Sequence, residues 1–101
     1  MRCLEIVQSL PMQSLREMCD RLREQLKSVV IVLGTVYEDK PAFIAAVTPD
    51  LVARGYNAGE IVKQVARVTG GSGGGSARLG QAGGKYKDKL DEALRLVNSL
   101  I

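Results

Sequence analysis

The stretch VVIVLGTVYEDKPAFIAAVT, from Val29 to Thr48, decides the fold class. The segment from Val29 to Tyr37 is rich in β-branched residues and apolar on both of its alternating faces, which is typical of a central strand. Glu38 to Lys40 form a polar turn, and the segment from Pro41 to Thr48 returns as a second strand. The stretch therefore predicts a β-hairpin whose first strand lies inside a sheet.

Segments on either side of this hairpin predict four helices and one more strand. Arg2 to Ser9 alternates as a strand, and Pro11 to Lys27 carries an apolar stripe at helical spacing. A short helix follows Thr48 and ends at Gly55, and the next runs from Asn57 to Gly70. A last amphipathic helix runs from about Lys87 to the C-terminus. The predicted order is β-α-β-β-α-α, a glycine-rich loop with or without a short strand, then α.

The glycine-rich stretch TGGSGGGSARLGQAGGK, from Thr69 to Lys85, resembles a flexible linker in composition. After Ser76, however, the chain has room for only one further helix, which cannot bury its own apolar stripe. We therefore expect the last helix to pack on the common core of a single α+β (mixed α/β) domain over residues 1–101. The glycines then indicate a place where the backbone comes close to another group.

The residue inventory excludes most catalytic chemistry. The 101 residues include no histidine, so a histidine base, a histidine-based triad and a histidine zinc ligand are all excluded. A nucleotide-binding loop ending at Lys85 would need glycine where Leu79 stands and serine or threonine where Tyr86 stands. We expect no catalytic residue, no metal site and no cofactor in this chain, and no enzyme activity of the chain alone.

The cysteine content and the N-terminus predict the compartment. Cys3 and Cys19 are too few for a disulfide framework, and the first residues lack the long apolar stretch of a signal peptide. No apolar run approaches the length of a membrane span. We expect a reduced, cytoplasmic protein without a membrane partner.

The charge is concentrated near the glycines. The formal net charge is +3, and between Lys63 and Lys89 the only acidic residue is Asp88. Such a patch favours a polyanionic partner, although a solvated lysine face beside a helix start has the same composition.

The segment LVARGYNAGEIVKQVARVTGGSGGGSARLGQAGGKYKDKLDEALRLV, from Leu51 to Val97, resembles the DHHA1 domain in the form that closes bacterial alanyl-tRNA synthetases. A helix that enters a glycine run, the motif QAGGK and the motif KLDEAL carry the resemblance. Two positions depart from the family pattern. Ser76-Ala77-Arg78 replaces the usual Arg-Pro-Asp, and Tyr86 replaces the usual aspartate before the last helix.

The resemblance implies a non-catalytic tRNA-binding C-terminal domain of an alanine–tRNA ligase. Such a domain contacts the outer corner of alanine-accepting tRNA, helps couple aminoacylation with editing, and works with the other synthetase domains, in some cases as a homodimer. Two alternatives stay open: a substrate-binding module of a DHH-type phosphodiesterase for short single strands, and a dimerisation element. The phosphodiesterase branch carries a histidine after its glycines, and this chain has none.

Under this interpretation the glycine loop approaches RNA while cations neutralise phosphates and Gln81 supplies a directional hydrogen bond. We expect valine at Gly74 or Gly75 to weaken binding and to leave the fold largely intact. The candidate tRNA-binding residues are Lys63, Arg67, Gly73, Gly74, Gly75, Ser76, Arg78, Gln81, Gly83, Gly84, Lys85 and Lys87.

Overall fold

A computed structural model describes residues 2–6, 11–26 and 28–100 of the chain. The predicted α+β class and element order are confirmed. The glycine-rich stretch, which was predicted as a loop with or without one short strand, forms two strands. Residues 7–9 and 27, which the predicted first strand and first helix included, lie outside the described residues. The elements are β1 (Arg2–Ile6), α1 (Met12–Gln25), β2 (Val30–Tyr37), β3 (Lys40–Val47), α2 (Pro49–Ala53), α3 (Ala58–Thr69), β4 (Ser72–Gly75), β5 (Leu79–Gly83) and α4 (Leu90–Leu100), with a 3-10 turn (Lys87–Lys89) before α4.

The five strands form one mixed sheet in the order β1-β2-β3-β5-β4. β1 runs parallel to β2, whereas β2–β3, β3–β5 and β5–β4 are antiparallel pairs. The strands β2 and β3 of the predicted hairpin therefore lie in the interior of the sheet, and β4 lies at an edge. The side chains of β2 and β3 are mostly buried on both faces, as expected for strands in the interior of a sheet.

One face of the sheet is covered by α3 and α4. Phe43 on β3, Val62 and Val65 on α3, and Ala93 and Val97 on α4 belong to one buried cluster. The last helix therefore packs on the common core, as the sequence predicted, and the glycine-rich stretch is not a linker to a separate unit.

The opposite face is covered by α1. Leu15 and Cys19 of α1 are fully buried against Ile31, Leu33 and Ile44. The contacts of α1 with the sheet are chiefly with β2 and β3. This asymmetry leaves the same face open over β4 and part of β5, where the glycines lie.

Candidate nucleic-acid interface

The glycine-rich stretch forms the β4–β5 hairpin, which extends the sheet beyond β3. Its turn is built by Ser76, whose hydroxyl oxygen accepts hydrogen bonds from the N–H groups of Arg78 and Leu79 at 3.3 and 3.2 Å. Ser76 was predicted as a contact residue, and the structure gives its hydroxyl a role in shaping the turn.

The turn end of the hairpin is bonded to the start of α3. The N–H groups of Ala58 and Gly59 donate to the carbonyl oxygens of Ala77 and Ser76 at 2.8 and 2.9 Å. The next N–H of the helix donates to the side chain of Asn57 at 3.1 Å. Because these first-turn amides have partners inside the chain, the N-terminus of α3 does not offer them to an anion.

The other end of the hairpin is bonded to the end of α3. The carbonyl oxygen of Thr69 accepts hydrogen bonds from the N–H groups of Lys85 and Tyr86 at 2.7 and 3.0 Å. The buried hydroxyl of Thr69 donates to the carbonyl oxygen of Val65 at 3.1 Å. A Cβ atom at Gly84 would collide with Thr69. The hairpin is therefore held at both ends of one helix.

Most hairpin glycines serve this packing. A Cβ atom at Gly80 would lie 2.8 Å from the Ala58 carbonyl oxygen and 2.8 Å from a methyl carbon of Val62, and one at Gly73 would lie 2.6 Å from a side-chain atom of β5. Gly75 has a φ of +148°, which side-chain-bearing residues rarely adopt. The expectation that the fold would tolerate valine at Gly75 is therefore corrected, because this glycine is required by the backbone.

Two glycines of the hairpin are instead open. A Cβ atom at Gly74 would meet no atom within 4 Å, and one at Gly83 would lie 3.9 Å from the Pro41 carbonyl oxygen. Side chains alternate between the faces of a strand, so both glycines lie on the face opposite α3, with Ser72 and Gln81. We call the surface formed by Ser72, Gly74, Gln81 and Gly83 the open glycine face. A shallow concavity of about 260 Å³ is lined by Ser72, Gln81 and Gly83 of this face and reaches Met12 at the start of α1.

The predicted cations do not form one cluster. Arg78 lies in the turn before β5, whereas Lys85 and Lys87 follow its last residue, and one strand of five residues spans about 13 Å. Lys63 and Arg67 are exposed on α3, the helix that packs on the opposite face of the hairpin. The structure therefore places cations beyond each end of the open glycine face and two more on the helix behind it.

Two of these five cations are ion-paired. The Lys63 ammonium lies 3.6 Å from the Glu60 carboxylate, and Lys87 pairs with Asp39 in the β2–β3 turn. The hydrogen bond to the Asp39 carboxylate, together with its charge, raises the pKa of Lys87 above its ordinary value. Within the described part of the chain, the other three predicted cations form no ion pair.

Arg78 lies among both acidic and basic side chains. It lines an open concavity of about 470 Å³ together with Asp20, Arg23, Glu24 and Thr48. Asp20 forms an ion pair with Arg23. The Arg78 end of the hairpin is therefore less positive than its own sequence neighbourhood indicates.

Sequence reasoning missed two residues of this surface. Ser72 shares the open glycine face, and the alternation of β4 would have identified it once that segment was taken as a strand. Asp39 meets Lys87 across 48 positions of the chain, so a count of neighbouring charges could not find it.

Two searches of the described residues bear on other kinds of site. Across residues 2–6, 11–26 and 28–100, no three metal-ligating side chains come together as a candidate ion site. In the same residues, no helix combines the length and apolar character that a membrane span requires.

Comparisons with known proteins identify the family. Residues 3–101 match the DHHA1 domain family. The chain is 57% identical over 88 residues to an alanine–tRNA ligase of Dehalococcoides mccartyi and 50% identical over 90 residues to that of Bacillus subtilis. These matches cover 87% and 89% of the chain but only 10% of each ligase. The chain thus spans about a tenth of the length of these relatives.

Solved structures agree with the sequence matches. The C-Ala domain from Aquifex aeolicus alanyl-tRNA synthetase superimposes with a TM-score of 0.86 at 32% identity, covering 97% of this chain and 87% of that one. A DHH-domain member of the S1p family of ribosomal proteins shares the fold alone, with a TM-score of 0.59 at 17% identity over 79% of this chain. The chain therefore belongs to the DHHA1 domain family and, within it, to the C-Ala domains of alanyl-tRNA synthetases.

Proposed function

We propose that this chain binds folded tRNA through the open glycine face. The observation that carries the proposal is that Gly74 and Gly83 leave bare backbone on the part of the sheet that α1 does not cover, although packing leaves room for a side chain at both positions. A surface without side chains can come close to a ribose-phosphate backbone or a flat base pair. The half-buried Gln81 adds a directional donor and acceptor beside it.

The cations at the two ends of this face complete the proposed site. Arg78 at one end and Lys85 at the other neutralise phosphates on either side of the RNA that lies on the glycines. Lys63 and Arg67 act from the helix behind the hairpin. Because so few side chains can reach base edges, recognition depends on RNA shape.

Family membership supports a finer assignment. We infer that the chain is a non-catalytic C-terminal part of an alanine–tRNA ligase, acting in the cytoplasm with the other domains of that enzyme and without a cofactor of its own. It contacts the outer corner of alanine-accepting tRNA and helps couple aminoacylation with editing. The relatives' identity as alanine–tRNA ligases and the match to a C-Ala domain support this assignment.

The direct test is a titration of the chain with folded tRNA, with its acceptor-stem hairpin and with a short single strand, over a range of salt concentrations. We expect a preference for whole tRNA and a log–log salt slope of about −2 to −5, from a few phosphate contacts. Equal affinity for the single strand would favour the phosphodiesterase-type module. A lack of binding at low salt, with self-association in sedimentation, would favour a dimerisation element.

A matched pair of glutamines tests the location of the site. Gln81 lies on the open glycine face and Gln64 lies on α3, and both are half-buried. We expect Gln81→Ala to weaken tRNA binding and Gln64→Ala to leave it unchanged. Equal losses from both variants would argue against the open glycine face.

A further inference from the structure

The β2–β3 turn has an unfavourable backbone. Its two central residues, Glu38 and Asp39, have φ values of 51° and 68°. Two-residue hairpin turns of this kind favour Asn-Gly, because side chains other than those of Asn and Asp rarely tolerate the left-handed region. The chain instead places two carboxylates there. The two-residue hairpin requires this backbone but does not require carboxylates in it, so the choice of residues points to a role for their side chains.

This turn lies at the lysine end of the open glycine face. The Pro41 carbonyl oxygen, just after the turn, accepts a hydrogen bond from the Gly84 N–H at 3.0 Å. The same oxygen is the nearest atom to a Cβ placed at Gly83. Asp39 also pairs with Lys87 directly. The turn and its carboxylates therefore lie at the Gly83 end of the open glycine face.

The turn reduces the local positive charge. Four lysines lie at this end of the hairpin, namely Lys40, Lys85, Lys87 and Lys89, and three carboxylates lie among them, namely Glu38, Asp39 and Asp88. All seven residues are exposed, and Lys89 pairs with Glu92 on α4 at 3.4 Å. The basic patch that the sequence predicts around the glycines is therefore reduced here by Glu38 and Asp39, which come from a distant part of the chain.

We propose that the Glu38–Asp39 turn is an acidic guard, which reduces the affinity of the site for polyanions that do not fit it. This role rests on the tRNA-binding function proposed above. A phosphate competes with Asp39 for Lys87, so Lys87 contributes less to the binding of loosely placed RNA. An RNA held on the open glycine face makes enough other contacts to offset the loss of the Asp39–Lys87 ion pair. An unstructured strand makes too few other contacts to do so. The guard thereby lowers the affinity of the site for non-specific nucleic acid.

The test is a double-mutant cycle with Asp39→Asn and Lys87→Gln, with a uridine 20-mer and folded tRNA as probes. Asparagine tolerates the backbone of residue 39, so the turn is preserved. The pair is exposed, with 55% of the Lys87 side chain and 79% of the Asp39 side chain accessible. We expect Asp39→Asn to tighten binding of the 20-mer about two- to fivefold, as befits an exposed pair, and to steepen its salt slope by about 0.7. The preference for tRNA over the 20-mer should fall.

The cycle separates the guard from a general charge effect. In the Lys87→Gln background, Asp39→Asn should have almost no effect. The control is Glu17→Gln on α1, which also removes an exposed carboxylate and should change binding of the 20-mer less than Asp39→Asn does. The guard would be overturned if Asp39→Asn bound the 20-mer more weakly than the native chain. It would also be overturned if Asp39→Asn had the same effect in the Lys87→Gln background as in the native chain.

The two probes separate failure of the guard from failure of the proposed function. A wild-type chain that binds the 20-mer as well as tRNA would contradict tRNA recognition, while coupling between Asp39 and Lys87 on the 20-mer would still support the guard. A wild-type chain that prefers tRNA but shows no coupling would contradict the guard alone. If neither the wild-type chain nor Asp39→Asn bound the 20-mer at low salt, the guard would likewise be refuted.

Discussion

Gly74 and Gly80 lie on opposite faces of one hairpin, and alanine at each should have opposite effects on stability. At Gly74 the added methyl group enters open space, and the residue has no positive φ. Glycine in a strand costs roughly 0.5–1 kcal/mol relative to alanine, so Gly74→Ala should raise the free energy of unfolding by about that amount. Binding of tRNA should nevertheless weaken at least about fivefold, equivalent to about 1 kcal/mol, because the methyl group holds the RNA away from the backbone.

Alanine at Gly80 should have the reverse effect on stability. Its Cβ would lie 2.8 Å from the Ala58 carbonyl oxygen and from Val62, whereas comfortable contacts between non-bonded atoms lie at about 3.5–4.0 Å. α3 is bonded to the hairpin at both ends and cannot retreat freely. We expect Gly80→Ala to lower the free energy of unfolding by about 1–3 kcal/mol.

Urea unfolding and a tRNA titration on the same preparations measure both effects. The two variants should differ in stability by about 1.5–4 kcal/mol, the sum of the opposite effects above. Ala53→Val, an exposed change on α2, controls for added apolar bulk. If both glycine variants lost similar stability, the division into packed and open glycines would be wrong. If Gly74→Ala bound tRNA like the native chain, the open glycine face would not be the contact surface.

Three further predictions concern stability and ionisation. Asn57→Ala should cost about 1 kcal/mol in urea unfolding, because the Asn57 side chain caps α3. The hydrogen bond from the Ser28 hydroxyl to the Asp50 carboxylate at 2.5 Å lowers the pKa of Asp50 below 3.8. This pair therefore stabilises the fold above about pH 4, and its contribution is lost as the pH falls through the folded-state pKa of Asp50. Ser28→Ala should reduce the change in the free energy of unfolding over that pH range. An unchanged pH dependence would contradict a stabilising role of the Ser28–Asp50 hydrogen bond. NMR titration of the Lys87 ammonium should show a pKa above 10.5 that Asp39→Asn returns toward 10.5.

Much of the fold was predictable because its signals are local. The apolar run from Val30 to Leu33 identified an interior strand, and the stripe with Leu15 and Cys19 identified the helix that covers it. The glycine stretch was predicted less well, because a residue without a side chain shows no alternation. Its strands are specified by backbone hydrogen bonds to β3 and by close packing on α3, both of which are tertiary.

The candidate site was predictable in composition but not in arrangement. The sequence drew attention to the glycines and the cations. It could not distinguish the open Gly74 from the packed Gly80, because that distinction depends on which face of the hairpin packs on α3. It also counted Lys87 as an available cation. Its carboxylate partner comes from the β2–β3 turn, which only folding brings beside it.

The open glycines of the β4–β5 hairpin depend on its packed glycines. A glycine strand loses more conformational entropy on ordering than other strands do, so a free glycine hairpin would be a poor binding surface. In this chain, hydrogen bonds from Ala58 and Gly59 hold one end of the hairpin on α3, and those accepted by Thr69 hold the other. The packed glycines make this close attachment possible, and the attachment fixes the open glycines before any ligand arrives. A preordered surface loses little entropy on binding, so the side-chain-free face can act as a rigid contact surface.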